Sequence, residues 1–181
     1  MFNDKRSKKI ILLAHCVLNQ NSKIDRCACY PGPITEVVNA LVAKGIGMIQ
    51  LPCPEVLFMG LSRGIIAENE QSIESEDTRV AEAMVKQANT PVFRELVRQQ
   101  ADLIAEYQKN GFAVLGLVGI NGSPTCGVET NWADGEVAPG YGVFIKALDL
   151  ACQQKGIHLN IQGIKARQGH VAADLVESML Q

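Results

Sequence analysis

Six cysteines are spread along this chain of 181 residues, and three of them stand just past the end of an apolar run. Cys16 follows Ile10-Ile11-Leu12-Leu13-Ala14, and Cys53 follows Ile46-Gly47-Met48-Ile49-Gln50-Leu51. Cys126 follows Ala113-Val114-Leu115-Gly116-Leu117-Val118 after a short turn. Short apolar runs of this kind read as buried β-strands. If those strands are parallel neighbours, their ends share one edge of one sheet, which is where open α/β sheets bind ligands. Three converging thiolates are a ligand set for a soft metal, and an iron–sulfur cluster is the first candidate.

The residues around the thiols add chemistry, although each motif alone has a plainer explanation. Cys53-Pro54-Glu55 places a thiol beside a carboxylate, with prolines fixing the backbone on both sides. By itself it also reads as a strand terminator with an exposed acid. Ser123-Pro124-Thr125-Cys126-Gly127 sets a thiol between hydroxyls and a glycine that allows close backbone approach. It also reads as a tight turn. Cys27-Ala28-Cys29 is open to a ligand, redox-pair or loop-lining role. It lacks C-x-x-C spacing and a matching second pair, which favours a non-ligand role. Cys152 falls in a helical pattern beside Leu148 and Ala151 and reads as a small core residue. His15 reads as structural, and Trp132 as a packing residue in a polar loop. Gly116-x-x-Gly119-x-x-Gly122 is not a dinucleotide fingerprint, and the chain has no Walker A pattern.

The elements that must position these groups alternate. The pattern predicts strands over residues 9–14, 46–51, 113–118 and 158–163. Helices are predicted over about 34–44, 77–109 with a restart at Thr90-Pro91, 142–155 and 171–180. Asp77-Thr78 reads as a cap for the second of these. Residues 16–33 and 55–76 read as long loops, and Asp134-Gly135 as the turn of a hairpin. Repeated strand–helix order predicts an α/β, Rossmann-like three-layer fold. Its sheet is mostly parallel, of about four strands, with helices on both faces and right-handed crossovers. The chain, residues 1–181, shows no internal repeat and no second-domain boundary, so a single domain is expected.

Composition narrows the classes. The chain is 47% hydrophobic and 20% charged, with a formal net charge of −2, which gives no nucleic-acid or membrane-surface signature. No apolar stretch has the length of a membrane span, and the start lacks a signal-peptide pattern, so a cytoplasmic protein is expected. An even cysteine count raises the disulfide alternative, but a core of this size needs no staples. The expected state is a monomer or small homo-oligomer acting on a small molecule.

Cys16-Val17-Leu18-Asn19, Cys53-Pro54-Glu55 and Ser123-Pro124-Thr125-Cys126-Gly127 together resemble the thiouracil desulfidase family, long known only as a bacterial domain of unknown function. Arg63, Asp77-Thr78 and Gly140-Tyr141-Gly142-Val143 agree with it secondarily. The resemblance spans roughly residues 9–150. It implies a [4Fe-4S] cluster held by Cys16, Cys53 and Cys126 with one iron free of protein ligands. It also implies Glu55 as the base that activates water, and Ser123 as the residue that binds or relays a proton to a sulfur-containing substrate. The activity implied is removal of sulfur from a thiocarbonyl or thioamide compound as hydrogen sulfide. The chain departs from the family where Ala14-His15 precede Cys16, where Met59-Gly60-Leu61 follows the second motif, and at residues 27–32, which marks a divergent subgroup. Two alternatives remain: a zinc hydrolase using the same three thiolates, and a non-enzymatic cluster-bearing or thiol-based redox sensor or binding module.

Overall fold

A computed structural model describes residues 2–64 and 72–179. The apolar run at the N-terminus forms strand β1 (Lys9–Leu13), whose last four residues are buried on both faces. Only a central strand covered from both sides has this continuous apolar pattern. It is flanked by β2 (Gly47–Gln50) and β3 (Ala113–Ile120), and β6 (Ile161–Ile164) completes a parallel sheet of order β2-β1-β3-β6. Two antiparallel strands, β4 (Thr130–Ala133) and β5 (Glu136–Pro139), form the expected hairpin. Asp134 and Gly135 both take positive φ at its tip, as a tight hairpin turn requires.

The chain turns from β1 to one neighbour, then crosses back past it to the other side. Right-handed crossovers in opposite directions put their helices on opposite faces. Helix α2 (Thr35–Ala43) accordingly packs with α7 (Gly169–Ser178), while α5 (Pro91–Lys109) packs with α6 (Val143–Gln153). The fold is therefore α/β and Rossmann-like, in three layers. Ile11, Leu12, Leu13 and Leu117 are fully buried between the helix layers, and each such side chain is worth about 1.5–3 kcal/mol.

Departures from the sequence expectations lie in the connections. The expected loop 16–33 is entered through a short helix α1 (His15–Leu18) and holds a 3-10 turn (Gln20–Ser22), both too short to show a period. The expected loop 55–76 opens with helix α3 (Pro54–Met59), and its stretch 65–71 lies outside the described residues. Helix α4 (Ile73–Ala88) starts before Asp77-Thr78, because Ser72 is its cap and accepts from Ser75 N at 3.1 Å. Strand β6 begins later than the predicted residue 158. It pairs only with Leu117–Ile120, the far half of β3. Trp132 sits on β4 rather than in a loop.

Candidate active site

Register decides where the thiols go. Leu13 pairs with Gln50 across β1 and β2, and with Val118 across β1 and β3. Cys16 and Cys53 therefore leave the sheet the same number of residues beyond paired positions. Both start a helical turn: Cys16 is the second residue of α1, and Cys53 is the N-cap of α3. Pro54 sits in the first turn of α3, where its missing N–H costs nothing. His15 ties the two strand ends together, with Nδ1 3.3 Å from Leu51 O and its own carbonyl accepting from Gln50 Nε2 at 3.0 Å. His15 also lines the cleft that the thiols share.

Cys126 returns to the same edge by a different route. Ile120 N donates to Cys126 O at 2.8 Å, folding residues 121–126 back against the end of β3. Ser123 Oγ accepts from Thr125 N at 3.2 Å and from Cys126 N at 3.0 Å. The serine thus shapes the turn through its oxygen, and its O–H hydrogen has no acceptor among the described residues. Val143 N and Phe144 N, at the start of α6, bind Pro124 O and Thr125 O, both at 3.0 Å.

All three thiols, with Glu55 and Ser123, line one cleft of about 790 Å³ at the carboxyl edge of the sheet. The cleft lies where the chain departs from β1 to either side, a topological switch point. Burial raises the Cys53 thiol to about 11 and Cys126 well above its usual range. After burial, the charges of Cys16 and Cys53 push Cys126 up further, so the three sulfurs sense one another. Unaided, these groups stay protonated; a bound cation would reverse this by taking them as thiolates. Among the described residues no three His, Cys, Asp or Glu side chains enclose a single ion position. By donor type alone, three thiolates suit an iron–sulfur cluster, which takes cysteine sulfur as its ligand.

Glu55, on the first turn of α3, accepts from Arg63 Nε and Nη2, both at 3.3 Å to Oε2. Helix α3 is held by Phe58, whose ring lies 6.0 Å from Phe93 of α5, which in turn lies 6.2 Å from Phe144 of α6. The carboxylate is therefore carried on a packed aromatic chain and not on a free loop.

Several residues of the cleft were not assigned to it from sequence. Cys27 and Cys29 line it, and burial first, then the Asp77 charge, raises the Cys27 thiol above its ordinary value. All six cysteines are free. Trp132 also lines the cleft, and its Nε1 donates to Thr78 Oγ1 at 3.0 Å. Asp77 faces the cleft from α4 and does not cap that helix. Burial first, and the Glu55 charge second, raise it to about 6. Between roughly pH 4 and pH 6 the folded chain thus holds a proton that the unfolded chain has lost. Folding stability falls as pH rises through that window, by about 1–2 kcal/mol once partial exposure is allowed for. In urea unfolding at pH 4 and pH 7, Asp77→Asn is expected to lose less stability between the two than the parent chain.

The site is thus an α/β switch-point cleft with a thiol triad and an arginine-clamped carboxylate. The chain is 31% identical over 126 residues to "Uncharacterized protein MJ0003" of the archaeon Methanocaldococcus jannaschii, a match covering 70% of this chain and 72% of that one. It belongs to the same family as that protein. No family model matches the chain, and no solved structure matches it. Among the described residues no helix is long and apolar enough to cross a membrane.

Proposed function

We propose that the protein is a [4Fe-4S]-dependent desulfidase that removes sulfur from a small thiocarbonyl or thioamide compound. The observation that carries this reading is the meeting of Cys16, Cys53 and Cys126, from three strand ends, in one cleft with Glu55. These three would hold the cluster, which when bound supplies a Lewis acid for the thiocarbonyl sulfur at the iron without a protein ligand. The resemblance to thiouracil desulfidases agrees with this donor set.

The remaining roles follow from the chain itself. Glu55 takes a proton from the water whose oxygen attacks the thiocarbonyl carbon. Ser123 donates its unengaged O–H to the substrate, while its lone pairs stay on the Cys126 turn. The carbon–sulfur bond breaks with its electron pair on sulfur, giving the oxo compound and hydrogen sulfide from one water and no net oxidation.

Anaerobically purified protein is expected to be brown, with near-equal iron and acid-labile sulfide. Cys16→Ala, Cys53→Ala and Cys126→Ala are each expected to lose the iron. Cys152→Ala, in the core of α6, is expected to keep it at a cost of about 1 kcal/mol. Iron, sulfide and zinc measured together decide the matter. Colourless protein with stoichiometric zinc, even after reconstitution with iron and sulfide, would replace the cluster with the zinc-hydrolase alternative. Hydrogen sulfide released from thiouracil or thioacetamide separates the enzyme from a cluster-bearing sensor.

A further inference from the structure

Arg63 is 1% exposed. A guanidinium that deep is expensive unless its donors are used and its charge is met. Its backbone takes φ 53°, a left-handed conformation that side-chain-bearing residues rarely adopt. Observed strain of this kind persists where surrounding contacts over-determine it.

Those contacts converge from three segments. Nη1 donates to Gly60 O at 2.8 Å and Leu61 O at 3.1 Å, closing the turn after α3. Nη2 donates to Ser22 O at 2.5 Å, reaching the segment that follows β1. Nε and Nη2 both reach Glu55 Oε2 at 3.3 Å, and Nη2 stands 3.9 Å from Cys53 Sγ. Glu55 Oε1 receives no hydrogen bond from the described residues, although the side chain lines the cleft. A neutral side chain would close the turn without burying a charge. What needs the cation is the pairing with the carboxylate and the sulfur.

We propose that Arg63 is the positioning residue of this site: it holds Glu55 by Oε2, leaving Oε1 for the reacting water, and donates to the Cys53 sulfur. This rests on the desulfidase reading above. Arg63 acts through Glu55, because it fixes which oxygen works and where it stands. Its second contact places a positive charge beside one metal-binding sulfur, a known lever on cluster potential.

The test uses the reconstituted full-length protein, with thiouracil and thioacetamide as probes. Arg63→Met is expected to keep its iron and its KM and to lose about tenfold to hundredfold in kcat, the effect of misplacing a reacting group. Glu55→Gln with Arg63→Met is expected to be no slower than Glu55→Gln alone, because the arginine works through the carboxylate. The cluster potential is expected to become more negative in Arg63→Met. An unchanged kcat, or losses that multiply in the double variant, would overturn the proposal. If Arg63→Met does not fold, Arg63→Lys, which keeps the charge but not the fork, must show the same loss of kcat. Iron-loaded wild type that releases no sulfide from either probe defeats the desulfidase reading instead. The potential of Arg63→Met, which needs no turnover, then still decides the Cys53 contact.

Discussion

Glu55→Gln is expected to lower the rate of sulfide release by about 10²–10⁴-fold, the usual contribution of a positioned general base, while iron and labile sulfide stay at wild-type levels. Glutamine keeps the length and an acceptor oxygen on the first turn of α3, so the packing of Phe58 against Phe93 is untouched. It cannot take a proton from water. It also leaves the buried Arg63 guanidinium without its anionic partner, which costs about 1–3 kcal/mol. A modest fall in melting temperature is therefore part of the expected result. Single-turnover sulfide release with parallel metal analysis checks both halves. If the rate is unchanged, another group activates the water, even if the thiolates do hold the cluster.

Gly127→Ala is expected to be the most damaging small substitution near the site. A Cβ there would press on Thr130 O, stand 2.7 Å from Ser123 O and stand 2.9 Å from Asn131 Cα. These are backbone atoms, and the hydrogen bond from Gly127 N to Ser123 O at 3.0 Å holds them close. Across the turn, a Cβ on Gly142 would stand 2.5 Å from Thr125 C and 2.9 Å from Cys126 N. The Cys126 turn is thus squeezed between two glycines, and widening either side moves the thiol. Overpacking of this severity costs about 3 kcal/mol, or about 6–12 °C in melting temperature for a chain of this size. Iron content is expected to fall with it. Gly32→Ala, where an added Cβ meets nothing within 4 Å, is the matched control and should leave melting temperature and iron unchanged.

The sheet and its edge were legible because their signals are local. The run Ile10 to Ala14 has no polar break, and only a strand covered on both faces tolerates that. Cys16 and Cys53 could be placed because each lies a few residues beyond such a run, so small errors in strand ends did not move them off the edge. The short helix carrying Glu55 was hidden: a helix of this length has no period to detect. Asp77 was misread because an acid before Thr resembles a cap, and the better cap, Ser72, lies upstream of it. Arg63 stood out only through resemblance to the desulfidases. Nothing in its neighbours Ser62 and Gly64 signals that a surface-type residue turns inward to meet a carboxylate and three carbonyls. The role of Cys27 and Cys29 as cleft lining depends on where their loop lies, a tertiary fact with no local signature.

The central position of β1 also dictates when the site comes into being. Lys9 of β1 pairs with Ala113 of β3, and the third thiol lies farther along still. On a ribosome, Cys16 and Cys53 emerge and can pair their strands long before Cys126 exists. Contacts so distant in sequence form late and slowly. The nascent chain therefore passes through a stage with two strand-end thiols exposed and no third. A site that uses all three thiols is complete only once the chain has been made past the Cys126 turn, and β6 (Ile161–Ile164) joins the sheet later still.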